Sequence, residues 1–229
     1  MTESAMLMGM SAQTTEAGNR PLGLRERKKL QTRQNISNTA TLLFLEHGFD
    51  TVTIADIAAA ADVAKMTVTN YFPRKEDLVL DVHDEFVASL ARTVRDRRPA
   101  ESALAALRRD YLAAVAAQAA LIGFSGPDFA RLITGSPALV ARLREFHEER
   151  ERLLALALAE ETGAAAGDFT PNIAAALLGG VHRALFEETV RRTVDGEAND
   201  VIAAALTDYI GGAFDTLEPS LGGYAVRAN

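Results

Sequence analysis

Residues 53–75 read TIADIAAAADVAKMTVTNYFPRK, and the periodicity of this stretch decides the fold. Thr53 stands at a helix start with Asp56 three residues on, the spacing at which a cap and a returning side chain satisfy each other's backbone donors. Ile54, Ile57, Ala58 and Ala61 follow at helical spacing, giving one apolar face. Asp62 interrupts the run with a residue type that tolerates the left-handed conformation of a sharp turn. Val63 points back into the small core, and a second helix is expected from about Ala64 to Phe72. Pro73 disfavours helix at Phe72 and opens the next element. Two short helices joined by three or four residues make a helix-turn-helix, whose second helix has the dimensions to enter a DNA major groove.

The rest of the 229-residue chain bounds what such a unit can be attached to. Hydrophobic residues make up 48%, ordinary for a globular protein and enough for a buried core. Alanine and leucine abound, β-branched runs are scarce and there are seven prolines, so the expected fold is all-α. With no cysteine, disulfides and thiolate chemistry are excluded, which suits a reducing cytoplasm. No apolar run approaches the ~20 residues of a membrane span, and the N-terminus lacks a signal-peptide core. The net charge of −7 conceals an asymmetry: residues 20–75 carry nine Lys/Arg against five Asp/Glu, while residues beyond 75 carry 15 against 24. A basic first module on an acidic body fits phosphate contact confined to one face.

Residues 1–22 are polar and aperiodic and read as a disordered tail, with Met8 and Met10 as alternative starts to Met1. A first helix is expected over 24–47, with Ile36, Ala40, Leu43 and Phe44 on its apolar stripe and Arg25 and Lys28 in a basic opening turn. The run FLEHGFDTVTIADIAAAADVAKMTVTNYFPRKEDLVLDV resembles the N-terminal domain of the TetR family of bacterial transcriptional regulators. The likeness covers roughly residues 24–85: a helix ending in Gly48-Phe49, the Thr53-x-x-x-Ile57-Ala58 entry, the Ala61-x-Val63-x-Lys65 link, the pair Tyr71-Phe72, and Lys75-Glu76-x-Leu78. Two positions depart from the family pattern. Asp62 stands where glycine is usual, and Ala64 stands where a capping serine is usual, which costs about 1 kcal/mol of local helix stability.

The reading helix is expected to be anchored by Val68 and Phe72, leaving Lys65, Met66, Thr67, Thr69, Asn70 and Tyr71 outward. Asn70 suits bidentate pairing with adenine N6 and N7, and Thr69 and Met66 suit apolar contact with thymine methyls. Lys65, Thr67, Tyr71, Thr53 and Lys75 suit phosphates, as do Arg25 and Lys28. Domains are expected at 23–73 (DNA-binding), 74–218 (helical body) and 219–229 (flexible tail), about nine helices in all. A continuous helix 4 from Arg74 to about Arg98 would join head to body. Helices 7, 8 and 9 are expected over 137–162, about 171–194 and about 199–217; the charged middle of helix 7, REFHEERERLL, reads as a solvated face, and Ser136-Pro137 and Thr170-Pro171 read as caps of helices 7 and 8.

For the body, the resemblance implies a homodimer through helices 8 and 9, with Gly179, Gly180, Val201, Ala205, Tyr209, Gly212 and Phe214 as interface residues. It also implies a pocket for a small, largely apolar effector, whose candidate residues by position are Phe86, Tyr111, Phe124, Phe129, Phe146, His147, His182 and Phe186. The implied function is a repressor on a pseudo-palindromic operator, released by that effector; control by a protein partner is the alternative. No catalytic constellation is visible: the four histidines fall on different helices, there is no HExxH and no phosphate loop. No metal or cofactor is expected.

Overall fold

A computed structural model describes residues 23–228; the expected tail over 1–22 lies outside the described residues. The described residues form nine α-helices and no strands: α1 (Leu24–His47), α2 (Ile54–Ala60), α3 (Lys65–Tyr71), α4 (His83–Arg95), α5 (Ala103–Ala116), α6 (Pro127–Gly135), α7 (Pro137–Thr162), α8 (Thr170–Val194) and α9 (Asn199–Leu221). The all-α expectation is met, and α1 and α7 have the expected bounds. α1–α3 form the head. In the body α7 packs between α4 and α8, and α9 closes against α5 and α8.

Two apolar clusters hold these layers. One, built on Leu104, Leu107, Leu154, Leu178, Leu206, Ile210 and Phe214, lies wholly within the body. The other begins in the head at Ile36, Phe44, Ile57, Val68 and Phe72 and continues through Leu78–Leu80 to Phe86, Ile133, Leu139, Phe146 and Phe186. Head and body therefore share a core, and each fully buried Leu or Phe in it contributes on the order of 1.5–3 kcal/mol of transfer free energy.

The join differs from expectation. Residues 74–82 are not helix: a 3-10 turn covers Glu76–Leu78, and α4 starts only at His83. The reason is the run Leu78-Val79-Leu80, all three buried. Consecutive residues of an α-helix point 100° apart, so a helix would turn one of the three toward solvent. Side chains of α1 meet two carbonyls of this irregular segment. The Ser37 hydroxyl lies 2.7 Å from the Asp81 carboxylate and 3.1 Å from the Leu78 carbonyl, and Arg33 Nη1 donates to the Asp81 carbonyl at 3.2 Å.

Four further expectations are corrected. α4 ends at Arg95, because the next turn sends Arg97 inward, where its side chain is buried. The middle of α7 is not a solvated face: Phe146, His147, Arg150 and Leu154 are buried, since this helix runs through the centre of the body. The cap pairs act differently from their spacing. The Ser136 hydroxyl makes no cap bond, and Thr170 is the first residue of α8 rather than its cap, its N–H donating to the Asp168 carboxylate at 2.9 Å. Finally, residues 219–228 are not a free tail. α9 runs through Pro219 to Leu221, Ala225 is buried, and Arg227 exchanges backbone bonds with Ala100 and Glu101 at 3.0 and 3.1 Å.

Candidate DNA-reading face and the cavity beside it

The head assembles its reading helix from local signals. Thr53 and Asp56 form a full capping box: the Asp56 N–H donates to Thr53 Oγ1 at 3.2 Å, and the Thr53 N–H donates to the Asp56 carboxylate at 2.8 Å. These hydrogen bonds hold the Asp56 carboxyl below its usual range. Asp62 takes the left-handed conformation at φ 52°, and α3 starts after Ala64, at the N-cap position, without a side-chain cap. Val68 and Phe72 are fully buried beneath α3, and the Arg33 guanidinium lies 4.6 Å from the centre of the Phe72 ring.

Outward from this seat, Lys65, Met66, Thr69 and Asn70 are exposed, Met66 at 70%, while Thr67 and Tyr71 are half-buried. Arg25 and Lys28 are exposed in the first turns of α1. Two expected phosphate contacts are otherwise engaged. Lys75 donates to the Phe49 carbonyl and lies 4.5 Å from that ring, so its charge closes the end of α1. The Thr53 hydroxyl is held by Asp56 at 2.7 Å. Thr69 turns its hydroxyl back to the Met66 carbonyl at 3.1 Å. Sequence reading missed an amide stripe on α1: Gln31, Gln34, Asn35 and Asn38 line a polar groove with Lys28 and Val63. Their i, i+3, i+4, i+7 spacing was the available signal.

Beside the head lies a cavity of about 270 Å³. Five expected residues line it: Phe86, Phe124, Phe129, Phe146 and Phe186. Its remaining wall includes Val79, Leu80, Asp81 and Val82, the segment joining head to α4. Tyr111, His147 and His182 are absent from the lining. They form an adjoining buried cluster with Arg150, in which the Arg150 guanidinium lies 4.3 Å from the Phe86 ring centre and Nη2 is 2.9 Å from His147 Nδ1. Arginine can only donate, so His147 accepts there and carries its proton on Nε2.

That geometry makes stability pH-dependent. Burial, then the Arg150 and Arg183 charges, push His147 down to about 3. Burial, then Arg150 and His147, push His182 well below its usual value. Both stay neutral in the fold, whereas the unfolded chain takes up protons below about pH 6.5. Their stabilisation is complete above pH 6.5 and is lost as pH falls from there toward 3. Urea unfolding is expected to lose up to about 1.4 kcal/mol per pH unit per histidine between pH 6.5 and 5, and His147→Asn should flatten that slope.

The outer face of α8 and α9 revises the expected interface set. Phe214 and Gly179 are buried within the chain's own fold; a Cβ on Gly179 would sit 3.3 Å from Glu151 Cγ of α7. Val201, Tyr209 and Gly212 are exposed, and Gly180 and Ala205 are half-buried. Ile173 and Leu177, missed in the sequence, are exposed one turn apart on α8. No helix among the described residues is long and apolar enough to cross a membrane.

A basic head presenting a short helix over a shared core, fused to a helical body with an apolar cavity, defines a helix-turn-helix DNA-binding regulator. Residues 36–82 match the family described as bacterial regulatory proteins, tetR family, and residues 98–222 match the MftR C-terminal domain. The chain belongs to the TetR family and is a transcriptional regulator, not an enzyme. It is 29% identical over 210 residues to the HTH-type transcriptional regulator TcmR of Streptomyces glaucescens, covering 87% of this chain and 88% of TcmR. Among solved structures it is similar in fold to NalD, the secondary repressor of the MexAB-OprM multidrug efflux pump in Pseudomonas aeruginosa, at a TM-score of 0.51 and 21% identity over 82% of this chain and 97% of NalD. The SmeT–triclosan complex superposes with a TM-score of 0.53 at 19% identity, over 83% of this chain and 91% of that one.

Proposed function

We propose that this protein is a cytoplasmic homodimeric repressor that binds a pseudo-palindromic operator and is released by a small, largely apolar effector. The observation that carries this reading is the double role of Val79–Val82. These residues line the cavity and also connect the head to α4. A ligand that reshapes the cavity wall therefore acts directly on the position of α3. The movable part is this irregular segment and not a continuous lever helix.

Dimerisation is supported by the exposed apolar stripe of Ile173, Leu177 and Val201 on α8 and α9. A two-fold through that face sets two reading helices about one DNA turn apart. A monomer in sedimentation at micromolar concentration contradicts it. On each half-site Asn70 is the base reader. Asn70→Ala is expected to relax preference at one base position by about 1–3 kcal/mol, and a binding-site selection with unchanged preference removes Asn70 from the readout.

Operator release is tested by fluorescence anisotropy on a selected operator. A hundredfold loss of affinity at saturating effector needs a coupling of only ~2.7 kcal/mol, and unchanged affinity overturns the mechanism. In the alternative, a protein partner controls the head, and a broad thermal-shift screen finds no small-molecule stabiliser.

A further inference from the structure

We infer that the buried cluster around Arg150 is an anion-recognition subsite, so that the effector filling the adjoining cavity is an organic carboxylate. This deepens the effector reading above and rests on it. Arg150 is 4% exposed, yet no carboxylate among the described residues lies within ion-pair distance of it. The contrast within the chain is direct: buried Arg97 is paired with Glu161 at 2.6 Å, and Arg142 with Asp77 at 2.8 Å. Acids outnumber bases across the body, so a partner for Arg150 was compositionally available. A buried, unpaired guanidinium is costly unless something neutralises it.

Two more buried polar atoms belong to residues that feel the Arg150 charge. Tyr111 Oη and His182 Nε2 are buried without a hydrogen-bond partner among the described residues, and their rings stand 4.8 Å apart. Burial raises the Tyr111 phenol, which therefore remains an O–H donor. Arg150 contributes N–H groups, Tyr111 an O–H, and His182 an N–H in its Nε2 tautomer, a set that matches the acceptor-only oxygens of a carboxylate.

The connection to the cavity runs through shared aromatic walls. Phe86 and Phe186 line the cavity and each stands 5.1 Å from the His147 ring, and Phe86 also carries the guanidinium. The lining itself includes Asp81 and Glu85, which repel an anion, so Arg150 is the place beside it where a carboxylate is stabilised. A ligand with an apolar body in the cavity reaches that charge by displacing the Phe86 ring, in the first turn of α4 just after the joining segment.

Thermal shift on the full-length protein tests this, using octanoate, 4-phenylbutyrate and benzoate, each beside its matched alcohol and amine, with sodium chloride as a separate arm. At least one carboxylate is expected to raise the melting temperature by roughly 5 °C at a hundredfold excess over Kd, well above its alcohol. That margin should vanish in Arg150→Met and shrink in Tyr111→Phe. Without ligand, Arg150→Met should melt at the wild-type temperature or higher; a markedly lower value makes Arg150 a structural residue and overturns the inference. Equal shifts from alcohol and carboxylate also overturn it while leaving the effector reading intact. Chloride matching the carboxylates assigns the site to an inorganic ion and removes the organic one. Silence from every compound overturns the carboxylate inference, while the effector reading stands or falls with the broad screen.

Discussion

Phe72→Ala is expected to cost about 3–5 kcal/mol, the range for deleting a fully buried aromatic ring, and to lower the melting temperature by roughly 10 °C. Phe72 is the last anchor of α3 and is 1% exposed. Four residues earlier Val68 anchors the same face, and the Arg33 guanidinium from α1 stacks on the Phe72 ring. Removing the ring leaves a cavity under a seven-residue helix that also lacks a side-chain N-cap, so nothing local compensates. The shared core spreads the damage, since the same cluster continues through Leu78–Leu80 to Phe86. Operator affinity should fall with stability. Met66→Ala on the same helix provides the control: at 70% exposure it should change stability by less than ~0.5 kcal/mol while affecting DNA binding alone. Urea unfolding of both variants checks this, and a loss under 1 kcal/mol for Phe72→Ala means that α3 is seated by something other than this ring.

The contrast between the head and the body shows what a sequence carries. The capping box of Thr53 and Asp56, the left-handed Asp62 and the Val68/Phe72 anchor are separations of three or four residues, and local geometry alone decides them. Five of the cavity phenylalanines were legible too, because large apolar residues on helices of an all-α body have few other places to go. What was not legible depended on where whole helices lie. EFHEERER reads as a solvated face until α7 is known to pass through the centre of the body, which buries His147 and Arg150. Leu78-Val79-Leu80 continues a helical pattern in sequence, and only the presence of apolar surface on both sides, from head and body, makes burial of all three worth the broken helix. Lys75 and Thr53 show the same limit at a smaller scale: a polar residue beside a DNA-reading motif can be committed to holding the motif together.

Arg97→Met is expected to cost about 3 kcal/mol and to release the C-terminal residues. Unlike Arg150, this buried arginine is satisfied within the chain. Its Nη1 donates to the Glu161 carboxylate and the Val94 carbonyl, and its Nε donates to the Ala225 carbonyl at 3.0 Å. Methionine fills similar volume but leaves two carbonyls without that donor, each costing on the order of 1–3 kcal/mol if it stays buried. Glu161 is partly exposed and can turn to water, which keeps the total at the lower end for a broken buried pair. The Arg227 side chain caps the carbonyls of Arg95 and Arg97 at 3.0 and 2.6 Å, so the far end of α4, the α4–α5 corner and the chain end form one clamp. Hydrogen exchange should therefore show residues 221–228 and the last turn of α4 losing protection together, with a melting temperature roughly 6–12 °C lower. Unchanged protection there would falsify the clamp. With that end of α4 held, the proposed coupling of the cavity to DNA places its moving part at the other end, in the nine irregular residues 74–82. On that proposal Arg97→Met should weaken the response of DNA binding to effector without altering base preference in a binding-site selection.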